Sequence, residues 1–173
     1  MSFTASSSYN NITTLLESEE CLLVDLLKEP NLQNALRKRI PFLADFIAAQ
    51  AGQLVDLALG VETIDGMNAQ PLCFTMIVTY VKNFTPYLIE SPQFTEHLNA
   101  YLTDNIDIDE NCATIFARII KFAINQTGGS ILNRWPDREN FLQKMVNHMD
   151  HIAIHSLLED FTNETRKPVI TFL

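Results

Sequence analysis

Apolar residues recur along the chain three and four positions apart, and no segment alternates between apolar and polar with period two. This spacing places the apolar side chains on one face of a helix. The predicted helical stripes are Ile12, Leu15, Leu16; Leu22, Leu23, Leu26, Leu27; Phe42, Phe46, Ile47; Leu54, Val55, Leu57, Ala58; Cys73, Phe74, Ile77, Val78, Val81; Phe94, Leu98, Tyr101, Leu102; Cys112, Phe116, Ile119, Ile120, Ala123; Phe141, Leu142, Met145, Val146; and Ile154, Leu157, Leu158, Phe161. The pattern predicts an all-α protein of about nine short to medium helices.

Small and cyclic residues predict where these helices begin and end. Ser18 is suited to cap the second helix, and Gly52 and Gly60 are suited to end two others. Pro41 forces a restart, and Pro86 bends or stops the helix that precedes it, because proline is not accepted inside a helix. Such tight junctions favour an irregular armadillo- or HEAT-like helical repeat, with a compact bundle as the alternative. We expect a disordered start at residues 1–9 and one helical-repeat domain at residues 10–173.

The charge of the chain indicates the class of partner, and its cysteine content indicates the cellular compartment. The chain has 173 residues, with 21 Asp and Glu against 12 Lys and Arg, for a net charge of -9. This balance disfavours nucleic acid and anionic membranes, so the expected partners are proteins. Three dispersed cysteines, with no secretory signal and no apolar stretch of membrane-spanning length, predict a soluble protein in the reducing cytoplasm.

Candidate metal-binding side chains are most concentrated in a histidine-rich segment, "NHMDHIAIHSLLEDF". On one uninterrupted helix His148, His151 and His155 would share a face, as metal ligands do. However, Ile152 occupies the position at which a metalloprotease helix carries its general base. Asp150 is also suited to cap a new helix, and a break there would dissolve the three-histidine face. The sequence therefore predicts no metal site, and a helical metal-dependent enzyme using these histidines is the less favoured alternative.

Two further segments resemble ligand-binding loops only in part. "DNIDIDEN" begins like a calcium loop, but Cys112 and Arg118 stand where the loop needs glycine and glutamate, so we interpret its acids as helix-capping residues. "TGGS", at Thr127 to Ser130, lacks the lysine of a phosphate loop and is interpreted as a helix end. No nucleophile elbow or dinucleotide fingerprint is present. No catalytic or cofactor-binding residue is predicted.

One block of sequence resembles a known family. The segment "NNITTLLESEECLLVDLLKEPNLQNALRKRIPFLADFI" is similar to the opening of the SAPS-domain family, the regulatory subunits of protein phosphatase 6 and Sit4-type catalytic subunits. A second similar stretch runs from Phe116 to Phe161, and its His148 stands where the family has a histidine followed by a helix break. The family's domains are about twice as long, so the resemblance implies an N-terminal portion or a short divergent member. The matching residues of the two blocks are Ile12, Leu15, Leu16, Glu17, Glu19, Glu20, Leu23, Leu26, Leu43, Phe46, Phe141, Leu142, His148, Ala153, Ile154, Leu157 and Leu158.

The resemblance implies a non-catalytic scaffold that binds a protein phosphatase 6-like catalytic subunit. A generic helical adaptor unrelated to phosphatases is the alternative. The family resemblance assigns no contact residue in this chain. The apolar segment that ends the sequence, Val169 to Leu173, is expected to be partly disordered or to form a self-association contact.

Overall fold

The computed structural model describes residues 9–102 and 107–162, and this part of the chain is all-α. It contains eleven α-helices, no extended strand, and a single isolated bridge between Ile64 and Met67. In chain order the helices are α1 (Asn10–Leu16), α2 (Leu23–Leu27), α3 (Leu32–Arg37), α4 (Leu43–Ala49), α5 (Ala51–Leu59), α6 (Gln70–Val78), α7 (Thr85–Glu90), α8 (Pro92–Tyr101), α9 (Glu110–Thr127), α10 (Arg138–Asn147) and α11 (Ile152–Thr162). A short 3-10 helix, Ser130–Arg134, lies between α9 and α10.

Two helices organise the core. α5 packs against α4, α6, α8 and α9, and α9 also contacts α6, α11 and the 3-10 helix. Seven residues of α5 are buried, including Leu54, Val55 and Leu57, so this helix is apolar around most of its circumference. A helix of that kind is stable only when neighbours cover it on several sides, which explains its central position.

Glycines end two of the helices as predicted. Gly60 follows α5 with φ 74°, and Gly128 follows α9 with φ 57°. Both values lie in the left-handed region that glycine adopts without steric cost, and the amide of each donates to a carbonyl in the last turn of its helix. Gly66, in the loop between α5 and α6, also has a positive φ of 74°.

Three predicted boundaries are wrong. Ser18 lies in the turn before α2, whose N-cap is Leu22, and its hydroxyl accepts from the N–H of Glu20 at 3.3 Å. Gly52 does not end α4 but lies buried inside α5. The helix before Pro86 already ends at Val78, and Pro86 instead occupies the first turn of α7, where its missing N–H costs no hydrogen bond.

Parts of the predicted organisation fall outside the described residues. Of the segment 1–9, the structure describes only Tyr9, whose carbonyl accepts from the hydroxyl of Thr13 at 3.2 Å. The C-terminal segment Val169 to Leu173 also lies outside them, so the expected self-association contact stays a prediction. None of the described helices combines the length and the apolar character needed to cross a membrane.

Candidate functional site

The histidine-rich segment forms the turn between α10 and α11. α10 ends at Asn147, and α11 begins at Ile152. Between them, the N–H of His151 donates to the carbonyl of His148 at 3.2 Å, which is the hydrogen bond that closes a tight four-residue turn. The predicted helix break is therefore present. The break does not separate the two histidines, whose ring centroids are 6.3 Å apart.

Three potential metal-ligating atoms converge at this turn. One atom each from His148, Asp150 and His151 lies within 4.8 Å of the others. The break removes the three-histidine face, but the turn itself brings the side chains of His148, Asp150 and His151 together, which the sequence did not predict. The sequence analysis treated Asp150 as a helix cap, but α11 begins two residues later, and Asp150 is exposed within the turn. The signal that could have indicated the cluster is the short motif His-Met-Asp-His at residues 148–151, because a turn over these four residues brings its side chains together.

His155 does not belong to the cluster. It lies within α11 on an exposed position, and its Nδ1 is 4.0 Å from Oε1 of Glu159, one helical turn further on. Of the three histidines considered from the sequence, His155 is thus the one outside the cluster. Asp150 takes its place.

A carboxylate on another helix orients His151. Its Nδ1 lies 3.0 Å from Oε2 of Glu110, the first residue of α9, and the His151 side chain is only 15% exposed. Further along the same two helices, Lys121 lies 2.8 Å from Asp160 and 3.3 Å from the hydroxyl of Ser156. The contacts occur in the same order on both helices, so α9 and α11 run in the same direction and their N-terminal ends lie together.

His148 has one polar atom that the described part of the chain leaves without a partner. Its Nε2 is buried and forms no hydrogen bond there. Burying an imidazole nitrogen without a hydrogen bond costs free energy, and such an atom in a folded protein requires an explanation. A ligand at the turn would supply one.

Asp109 caps α9, as predicted for the acidic segment that precedes this helix, whereas Asp104 lies outside the described residues. The carboxylate of Asp109 accepts from the N–H of Cys112 at 2.8 Å, and this hydrogen bond holds the pKa of Asp109 below its usual value. Burial raises the pKa of the Cys112 thiol. The "TGGS" segment ends α9, and its predicted role as a helix terminus is confirmed by the left-handed Gly128.

The junction before α4 exposes an aromatic side chain that the sequence analysis placed in the core. Phe42 is 77% exposed, so its assignment to the buried stripe is wrong. Its φ is 64°, and that of Arg39 is 58°, values that cost roughly 1–2 kcal/mol for residues with a side chain. The helix restarts directly after Pro41, so Phe42 is the N-cap of α4 and does not share the helical dihedral angles of the stripe.

A cavity of about 180 Å³ lies beside Phe42. Its lining includes Leu36 and Leu43, together with Tyr87 from α7, which is itself exposed. α4 packs against α7, and this contact holds the two aromatic residues at one surface. We call the surface formed by Arg39, Phe42 and Tyr87 the aromatic edge.

A second cavity, of about 360 Å³, lies between α7 and the C-terminal end of α9. Its lining contains Tyr80, Glu90 and Arg134 but no histidine or cysteine. Arg134 is already engaged, since its guanidinium donates to the carbonyl of Glu90 at 3.4 Å. The cavity therefore offers no nucleophile paired with an imidazole base.

Comparison with known proteins provides no relative: no family model, no curated protein and no solved structure matches the chain.

Proposed function

We propose that the chain is a non-catalytic, armadillo-like helical scaffold that binds the catalytic subunit of a protein phosphatase 6-like enzyme. The identity of the partner is inferred from the resemblance to the SAPS-domain family. The burial pattern supports a shared helical architecture, because the matching acids Glu17, Glu19 and Glu20 are exposed while the matching apolar residues are buried or partly buried between helices. Among the apolar residues of this block that match the family, Ile12, Leu23, Leu26 and Leu43 are buried, and Leu15, Leu16 and Phe46 are partly buried.

The observation that carries a binding role is Phe42. A large aromatic side chain is held in solvent at a strained backbone position, beside a cavity and a second exposed aromatic residue. Strain of this kind persists in places where function requires it. Aromatic residues and arginine are the side chains that contribute most to protein interfaces. The aromatic edge therefore has the composition of a binding hot spot.

The charge beside the aromatic edge indicates the chemistry of the partner surface. Arg37, Lys38 and Arg39 are all exposed, and none forms an ion pair within the described part of the chain. They form a basic run in a chain whose net charge is -9. We expect the partner to insert an apolar side chain beside Phe42 and to place acidic residues against this run.

The direct test is binding of the purified catalytic subunit of a protein phosphatase 6-like enzyme to the immobilised chain. The informative substitution is Phe42→Gly, because glycine adopts the positive φ of this position without strain. We expect this variant to lose affinity at least about tenfold. Its melting temperature should be unchanged or higher, since strain is removed and no core residue is lost.

Ile152→Ala is the matched control. Ile152 is 78% exposed, almost the same fraction as Phe42, but lies at the start of α11. Its removal should leave phosphatase binding unchanged. A folded wild-type chain that binds no phosphatase at tens of micromolar would show the partner to be wrong. Binding that Phe42→Gly and Ile152→Ala weaken equally would show that the aromatic edge is not the contact surface.

A further inference from the structure

The turn between α10 and α11 has the donor set of a transition-metal site. Two imidazoles and one carboxylate converge within 4.8 Å, a combination of nitrogen and oxygen ligands that suits zinc and its neighbours better than calcium or magnesium, which take oxygen ligands. The local charge is also suitable. Asp150 and Glu110 supply two carboxylates, whose combined charge balances a divalent cation.

The buried Nε2 of His148 is the second, independent observation. It is the atom through which histidine commonly binds metals, and it has no hydrogen-bond partner in the described structure. A metal ion would satisfy this atom and remove the cost of burying it. Without a ligand, nothing in the described packing accounts for a polar atom at this position.

The contact between His151 and Glu110 has the form found around metal-bound histidines. An ionised carboxylate only accepts hydrogen bonds, so Nδ1 of His151 must carry the proton in the 3.0 Å contact with Glu110. In the neutral imidazole this leaves the lone pair on Nε2, free to bind a metal. Histidine ligands in metalloproteins are oriented in the same way, through a carboxylate on the other ring nitrogen.

We propose that His148, Asp150 and His151 bind one divalent transition-metal ion, with Zn²⁺ as the best match, and that Glu110 is a positioning residue for His151. Tetrahedral zinc with bonds of about 2.0–2.1 Å requires ligand atoms roughly 3.4 Å apart. The observed separations of up to 4.8 Å therefore close with a shift of about 1.4 Å, which the exposed Asp150 side chain can supply by rotation. Three protein ligands leave a fourth position for water or for a side chain of a partner.

Metal binding would join the end of α10 to the start of α11, and Glu110 would extend the connection to α9. These are the helices that form this end of the described fold. The inference does not depend on the proposed phosphatase partner, because it rests on side chains away from the aromatic edge.

The test uses the full chain, freed of metal with a chelator and titrated with ZnCl₂ in a calorimeter. We expect one ion per chain with a Kd of about 1 µM or tighter. Co²⁺ provides a second readout, since its visible absorption reports the number and type of ligands. Circular dichroism of the metal-free variants establishes that each is folded before its affinity is measured.

Substitutions distinguish a built site from surface histidines. His148→Ala should weaken Zn²⁺ binding by more than about 100-fold, and Glu110→Ala by about 10- to 100-fold, because outer carboxylates have effects of that size. His155→Ala is the matched control and should leave the affinity unchanged, since His155 is outside the cluster. If His148→Ala does not fold, Asp150→Asn in the exposed part of the turn replaces it. Absence of Zn²⁺ binding, or equal losses in the cluster variant and His155→Ala, would overturn the proposal.

Discussion

Gly52→Ala tests whether the packing of α8 on α5 depends on the absence of a single methyl group. A Cβ atom added at Gly52 would lie 2.5 Å from Nε2, 2.6 Å from Cδ2 and 2.9 Å from Cε1 of His97. These distances are far below van der Waals contact. Nδ1 of the same imidazole lies 2.7 Å from Oδ2 of Asp56, which is one helical turn after Gly52 on the same face of α5. The His97 ring is therefore held both by packing against Gly52 and by its contact with Asp56, and the added methyl group would disrupt at least one of these.

The expected cost follows from these contacts. Forcing a methyl group into a packed interface costs about 1–3 kcal/mol. Loss of the hydrogen bond to Asp56 adds roughly 1 kcal/mol, a reduced figure because the His97 side chain is 39% exposed. The higher helix propensity of alanine offsets this loss of stability by about 1 kcal/mol. The net expectation is a loss of about 1–3 kcal/mol, or about 2–12 °C in melting temperature for a chain of this size.

The assay is a double-mutant cycle measured by urea denaturation. In the background His97→Ala the obstructing ring is absent, so Gly52→Ala should stabilise the protein by about 0.5–1 kcal/mol. The sign of the substitution is thus expected to reverse between the two backgrounds. A stabilising effect of Gly52→Ala in the wild-type protein, or an equal loss in both backgrounds, would refute this account of the α5–α8 contact.

Three further predictions concern the core, a helix cap and a thiol. Leu157→Ala should lower the free energy of unfolding by about 2–5 kcal/mol in denaturant titrations, because Leu157 is fully buried in α11. Leu158→Ala should lower it by less, because Leu158 is only half-buried. Asp109→Ala should cost about 0.5–2 kcal/mol at neutral pH; because the folded pKa of Asp109 is lowered, its contribution is present above the unfolded value of 3.8 and should vanish as the pH falls through the folded value. Burial raises the pKa of Cys73 to about 12, so the native protein should not react there with a thiol reagent at pH 8, while the denatured chain should react fully.

Nine of the eleven described helices were predictable from the sequence because the apolar spacing and the left-handed glycines are local signals, whereas the two six-residue helices α3 and α7 were missed. α8 and α9 lie where the stripes beginning at Phe94 and Cys112 place them, and Gly60 and Gly128 end helices as expected. Gly52 was not predictable in the same way. A glycine near a helix end and a glycine beneath a neighbouring ring have the same local sequence, and only the position of His97 on another helix distinguishes them.

Phe42 shows a second limit of periodicity. Its spacing to Phe46 and Ile47 matches a helical stripe, but periodicity assumes that the residue already has helical dihedral angles. Pro41 places the restart so close that Phe42 becomes the N-cap, with positive φ, and only Ile47 of the three is fully buried. An apolar residue directly after a helix-breaking proline is therefore ambiguous between core and surface, and in this chain it lies on the surface.

The cluster at the turn between α10 and α11 was missed for a similar reason, because periodicity does not describe the residues beyond a helix end. From the sequence alone, a continuous helix is the arrangement that groups the histidines, so a helix break indicates that no site forms. A tight turn brings its first and fourth residues together as effectively as a helix does, and the His151 N–H bond to the His148 carbonyl is the contact that does so. Only His155, which depended on the continuous helix, is lost from the group. The partner that completes the arrangement, Glu110, comes from a helix forty-one positions earlier in the chain, and no local pattern near the histidines could have indicated it.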